Sequence, residues 1–170
     1  MAKTQKRHGF TVVELMVTLA IAAVLVGYAL PAFKGFVAQR TMTARLNDFV
    51  LAINFARSEA AKLGGMVSVQ AVDDSDGDNE WGPGYCVVVG NPGNCAQALR
   101  RFSASANMTL DGIDAFDTLG TFSFNSRGLL TPGGAGALQL CSIDVEEDPG
   151  RVIGISQIGR TTTAELECNP

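Results

Sequence analysis

Apolar and polar positions divide the chain into three stretches of different character. Between Phe10 and Phe33, Glu14 is the single charged residue, and the apolar positions leave no polar face for a helix or strand to present. As a helix rising 1.5 Å per residue, these 24 residues span roughly 36 Å, enough for the hydrocarbon core of a bilayer. From Lys34 onward polar residues return. Leu46, Phe49, Val50, Ile53, Ala56, Ala60 and Leu63 recur at steps of three and four, with Arg45, Asp48, Asn54, Arg57, Ser58, Glu59 and Lys62 on the other face. This is the stripe of an amphipathic helix, and Gly64-Gly65 supplies its stop. Together the two stretches predict one helix from about Phe10 to Leu63, roughly 80 Å long. Gly27 and Pro31 stand near the junction, where the amide that proline lacks predicts a kink or a loosened turn.

After Leu63 the helical period disappears. Short runs rich in β-branched and aromatic residues ("MVSVQAV", "GYCVVVG", "LRRF", "TFSFN", "ALQLCSI", "RVIGIS", "TTTAELEC") alternate with Gly, Pro, Asn and Asp. That pattern predicts antiparallel strands in a sandwich or folded sheet. Such a sheet must bury a face, and the stripe of residues 46–63 is available to cover it. The expected fold class is therefore α+β: a long N-terminal helix, membrane half plus amphipathic half, packed on an antiparallel β-rich head at 64–170.

Composition narrows the function classes. The 170 residues suffice for one domain with a real core. Thirteen basic and 17 acidic residues give a net charge of −4. Without Lys3, Lys6 and Arg7 the balance becomes 10 against 17, or −7, which disfavours a general nucleic-acid binder. All four cysteines, Cys86, Cys95, Cys141 and Cys168, lie in the C-terminal part, and an even count behind an export-like N-terminus reads as two disulfides. Of the three possible pairings, Cys86 with Cys95 would close a hairpin and Cys141 with Cys168 would tie the last strand to an inner one; the sequence leaves the connectivity open. On the loop-entropy model these would stabilise by roughly 2.7 and 3.6 kcal/mol. Zinc is disfavoured, because no C-x-x-C is present and the single histidine, His8, precedes the apolar run.

Glu14 discriminates among the possible roles of the N-terminus. A secretory signal cut after "GYA" at Ala29, or a plain membrane anchor, would carry this carboxylate at an insertion cost on the order of 3 kcal/mol without using it. A cut after Gly9 instead leaves the run on the mature chain, which then starts at Phe10 with Glu14 as its fifth residue. An intramembrane carboxylate needs a partner, and the new α-amino group of a neighbouring subunit's Phe10 would be one, setting the axial register of a filament.

"HGFTVVELMVTLAIAAVL" resembles the prepilin signature of type IV pilins and type II secretion pseudopilins. The resemblance implies that a prepilin peptidase cuts after Gly9 and methylates the amine of Phe10, that Glu14 serves subunit assembly, and that Pro31 stands where many pilins kink. Further along, "ARSEAAK" before a glycine and a strand, "W-x-x-G-Y" at Trp81 to Tyr85 and "Ile-Gly-Arg" at 158–160 resemble landmarks of the GspH/FimT/FimU group of minor pilins. The implied organisation is a leader at 1–9, a transmembrane or filament-core helix at 10–33, its amphipathic continuation at 34–63 and the head at 64–170.

Three sharper readings compete with this one. Asp74, Asp76 and Asp78 in "DDSDGDNEWGPG" have the first three spacings of a calcium loop, but Gly77 stands fourth instead of sixth and Tyr85 takes the place of the closing glutamate. A solvated acidic loop is the reading adopted, with no metal. Some FimT-like relatives bind DNA through C-terminal arginines; here "GRTTTAELECNP" offers Arg160 among acids, with Arg100-Arg101 as a small patch elsewhere, which argues against DNA binding. No nucleophile–histidine, P-loop or H-E-x-x-H pattern occurs, so neither an enzyme nor a cofactor is expected.

The resemblance thus implies a minor pilin that primes type IV pilus assembly at or near the tip and supports piliation and twitching motility. Its partners would be other major and minor pilins, the prepilin peptidase, the inner-membrane assembly platform and, before assembly, membrane lipid. It would cross the bacterial inner membrane once with its head in the periplasm, then enter a pilus or pseudopilus. The alternative is the equivalent minor pseudopilin of a type II secretion system.

Overall fold

A computed structural model of the chain describes residues 10–72, 79–103, 107–117, 119–131, 134–143 and 149–168. The fold is α+β, with a long helix, α1 (Val12–Leu63), followed by antiparallel strands. The residues form two compact units, Met1–Val37 and Ala38–Pro170.

In the first unit α1 starts after Thr11, whose carbonyl accepts the Leu15 amide at 3.2 Å. Helical structure continues through Gly27 and Pro31. The large apolar side chains of this unit face outward, from Phe10, 85% exposed, through Leu15, Leu19 and Leu25 to Phe33. An 18-residue window here reaches a mean hydropathy of 2.2 with none of it buried, the property of a segment whose solvent is lipid or other protein.

The second unit contains the rest of α1 and, among the described residues, nine strands: β1 (Val67–Ala71), β2 (Gly84–Val89), β3 (Arg100–Ser103), β4 (Met108–Ile113), β5 (Thr121–Phe124), β6 (Leu130–Thr131), β7 (Gly136–Ser142), β8 (Pro149–Ile155) and β9 (Thr161–Glu167). They form two antiparallel sheets, ordered β3-β2-β1-β5-β6 and β4-β7-β8-β9. Met42, Phe49, Ala52, Ile53, Ala56 and Ala60 of α1 are buried and share one core with Val69, Val87, Phe122 and Phe124 of the first sheet and Leu138, Leu140, Ile153 and Ile155 of the second. Phe49 stands at its centre, its ring edge-on to Trp81 (5.7 Å), Tyr85 (5.0 Å) and Phe122 (6.2 Å); such geometry adds to the burial of the rings. Leu63 closes the helix half-exposed. There Gly64 adopts φ 65° and the Gly65 amide reaches back to the Ala60 carbonyl at 3.3 Å, a Schellman termination.

β1 is buried along its whole length, because the first sheet is covered on both faces. Core residues lie on one side; on the other the segment after β2 folds over Cys86, Val88 and Cys95, held by the Cys86–Cys95 disulfide and by Arg101, which donates to the Cys95 carbonyl. The second disulfide, Cys141–Cys168, joins β7 to the residue after β9 across the intervening strand β8. A side chain at Gly150 of β8 would collide with the Cys168 sulfur, so glycine makes that crossing possible.

β4 and the two-residue β6 fall outside the strand pattern expected from sequence. The β4 segment "MTLDGI" carries Asp and Gly, both depleted in strands. Asp111 sits opposite Gln139 of β7, whose Nε2 donates to its Oδ2 at 2.9 Å. Gly112 leaves room for the carbonyl of Phe116, where the 3₁₀ turn Asp114–Phe116 folds back on the strand.

Candidate functional site

Of the N-terminal residues singled out from sequence, Gly9 lies outside the described residues, as do residues 1–8 and the acidic residues Asp74, Asp76 and Asp78. Phe10 is exposed and precedes the helix. Glu14 is the third residue of α1, and its carboxylate turns back onto the helix start: Oε2 accepts from the Thr11 amide at 3.3 Å and the Thr11 hydroxyl at 3.4 Å. The Glu14 amide in turn donates to the Thr11 hydroxyl at 3.2 Å. This is a reciprocal capping box, with an acid at the positive end of the helix dipole. The sequence carries this signal as T-x-x-E, Thr11 to Glu14, before an apolar run. Gly27 and Pro31 are four residues apart, so the amide that proline lacks would have bonded the Gly27 carbonyl.

In the second unit two of the sequence landmarks meet. Arg57, from "ARSEAAK", lies against Gly159 of "Ile-Gly-Arg": a Cβ on Gly159 would stand 3.1 Å from Arg57 Cδ. A Cβ on Gly128 would stand 2.9 Å from Arg57 Nε. Both glycines have left-handed φ, 72° and 71°, closing the turns "NSRG" and "SQIG", each a tight turn ended by a residue that tolerates that conformation. The Leu130 amide donates to the Gln157 carbonyl at 2.9 Å and links the two turns. Glycine thus serves both turn geometry and close passage of an arginine stem, a relationship that no spacing in the sequence announces.

A second constellation missed from sequence is a pair of buried acids. Glu80 is 3% exposed and Asp111 9%. The segment Asn79-Glu80-Trp81 runs along β4: the Leu110 amide donates to Asn79 Oδ1 (2.8 Å), the Trp81 amide to the Leu110 carbonyl (3.1 Å) and the Gly112 amide to Glu80 Oε2 (3.4 Å). Burial, followed by a hydrogen bond with Glu80, pushes the Asp111 carboxyl up to about 6. A carboxyl that keeps its proton can donate to its neighbour. The pair is closed off from solvent, so it fastens structure and offers no reaction site. Among the described residues no group of three or more potential metal ligands gathers.

The family described as type II transport protein GspH matches residues 45–159, and the prokaryotic N-terminal methylation motif matches residues 4–30. Two crystal structures of the type IV minor pilin FimU from Pseudomonas aeruginosa strain PAO1 are similar. In one crystal form identity is 27%, covering 76% of this chain and 92% of the other with a TM-score of 0.63; in the second it is again 27%, covering 72% and 91%, with a TM-score of 0.59. Among curated proteins nothing matches. With more than half its length matched, the chain belongs to the GspH family of minor pilins and pseudopilins, structural subunits that carry an N-terminal methylation motif.

Proposed function

We propose that the protein is a minor pilin of a type IV pilus, cut after Gly9, methylated at Phe10, held in the inner membrane by residues 10–33 and passed into the filament to prime assembly at or near its tip. Twitching motility and piliation then depend on it. The observation that carries this reading is the joining of an unburied apolar helix, opened by Phe10 and Glu14, to a head similar to that of FimU over 76% of the chain. In the filament, Glu14 pairs with the amino terminus of a neighbour, and the turn at Gly27 and Pro31 gives the helix a place to bend. The other partners are the prepilin peptidase and the inner-membrane assembly platform.

A second reading, a minor pseudopilin of a type II secretion system, is favoured by the description of the matching family as a transport protein. Deletion separates the two. Loss of surface pili with exoprotein secretion intact is the expected result, and the converse would move the protein to the secretion machine. The chemistry common to both is tested by the intact mass and N-terminal sequence of membrane-extracted protein coexpressed with a prepilin peptidase. The expected product starts at methylated Phe10; an uncut chain, or one starting near Gly27, would overturn both readings.

A further inference from the structure

Beside the landmark contact described above lies an open recess of about 340 Å³ whose lining includes Asn54, Arg57, Ser58, Ser126 and Arg127. Its character is cationic and hydrogen-bonding, on a chain with net charge −4. Neither Arg57 nor Arg127 is engaged by an acid among the described residues. The nearest acid along the helix, Glu59, is taken by Lys62 at 3.2 Å, and the other ion pairs of the unit, Arg45–Asp48 and Arg151–Glu165, lie elsewhere. Two exposed guanidinium groups share one concavity, and an anion between them would relieve their mutual repulsion.

Arg57 is also held in place. Its stem runs close to Gly128 and Gly159, and a methyl group on either glycine would press against it. An arginine whose stem is packed loses less freedom on binding, and its planar fork suits the two oxygens of a carboxylate. Ser126 and Asn54 add neutral donors to the lining, while the Ser58 hydroxyl is spent on the Phe55 carbonyl at 2.9 Å. A polyanion fits less well: two arginines neutralise few phosphates, and the chain's net charge of −4 opposes the rest.

We propose that this recess is a carboxylate receptor that takes an acidic side chain of a neighbouring pilin subunit. The identity of the occupant rests on the proposed function; the chemistry of the recess does not. Side-by-side subunits in a filament would bring one head's acids against the next head's recess, making Arg57 and Arg127 determinants of which neighbour fits.

The test uses the full chain in detergent micelles, labelled with ¹⁵N-arginine, with the Arg57 and Arg127 Nε–H resonances assigned through Arg57→Lys and Arg127→Lys. Succinate is titrated at constant ionic strength against chloride. The expected result is a common saturable shift of both resonances, weakened about tenfold or more in the lysine variants, which keep charge and thermal midpoint but lose the fork. Shifts that grow linearly, or that fall equally on Arg100 and Arg101, would overturn the receptor. Saturation by a short single-stranded oligonucleotide at about a hundredth of the succinate concentration would replace the carboxylate with a phosphodiester and overturn the assignment. For the occupant, Arg127→Asp is compared with wild type in cells. A drop of about fivefold in the sheared filament fraction at unchanged membrane level is expected, and unchanged recovery would overturn it. A chain correctly processed at Phe10 that shows no saturable shift removes the receptor and keeps the pilin reading; an unprocessed chain that binds succinate removes the pilin neighbour and keeps the receptor.

Discussion

Thr11 and Glu14 cap each other: the Thr11 hydroxyl accepts the Glu14 amide at 3.2 Å while the Glu14 carboxylate accepts the Thr11 amide at 3.3 Å. The carboxylate therefore has a use within its own chain before any neighbour arrives. This separates two roles by substitution, because glutamine retains a capping box whereas alanine loses it. Glu14→Gln should keep the helix start intact and still fail to enter filaments, through loss of the charge. Glu14→Ala should add a fraying cost of about 1 kcal/mol at the first turn. Amide exchange at Leu15, whose hydrogen bond to the Thr11 carbonyl opens the helix, reads the cap, and recovery in sheared filaments reads the charge. Normal filament recovery of Glu14→Gln would reduce Glu14 to a cap.

The Asp111–Glu80 pair predicts a pH dependence of unusual sign for an acid. Asp111 holds its proton up to about pH 6 in the folded chain against an ordinary value of 3.8. The folded state binds the extra proton between those values, so this group's stabilising effect is fully present below pH 3.8 and is lost as pH rises through 6. Discounted for screening by solvent, the change is on the order of 1–3 kcal/mol. Glu80 and Asp117 are the acids that face it. Because other carboxylates titrate in the same window, the observable is the difference between wild type and Asp111→Asn in urea midpoints. The variant should gain on wild type from pH 4 to pH 7 and stay level above. A constant difference would mean that Asp111 keeps its ordinary value in the folded chain.

Gly150 lies beneath the Cys141–Cys168 bridge, where a side chain would strike the Cys168 sulfur. Gly150→Val should leave this pair unjoined while Cys86–Cys95 still forms, giving two free thiols by alkylation and mass spectrometry. The bond spans 27 residues, so its loss should cost about 3–4 kcal/mol on the loop-entropy model. A fully oxidised variant with an unchanged thermal midpoint would refute the crossing.

Phe49 and Leu63 share the apolar stripe of α1, yet one is fully buried and the other half-exposed. Phe49→Ala should cost about 3–5 kcal/mol, since it opens a cavity among Trp81, Tyr85 and Phe122. Leu63→Ala should change stability by about 0.5 kcal/mol or less. Thermal melts of both in one detergent make the comparison; equal losses would contradict the placement of the core.

The long helix, the β-rich head and the overall α+β class were legible because apolar period and turn residues are local signals that burial then reinforces. Seven of the nine strands fall on runs picked out by their β-branched and aromatic content. β4 did not, because Asp111 and Gly112 answer to Gln139, Glu80 and Phe116, residues distant in sequence. The same holds at the candidate site. Phe10 and Glu14 announce themselves in one short motif, whereas the meeting of Arg57 with Gly128 and Gly159 exists only after two hairpin turns and a helix have been brought together. Charge counted along the chain had set Arg57 among solvated helix residues, and only the fold puts it beside Arg127.

β9 is the outer strand of its sheet, and it pairs with β8 through seven residues, from Pro149↔Glu167 to Ile155↔Thr161. Unanchored edge strands peel one pair at a time, each small rupture easing the next. Here one end is continuous with the turn that carries Gly159, and the other is bonded through Cys168 to β7. A pull on the chain's end is therefore carried past β8 into an interior strand, and β9 can leave only if all seven pairs shear together. The bridge makes the edge of the head resistant to traction, the kind of load that the proposed place in a retractile pilus would put on it.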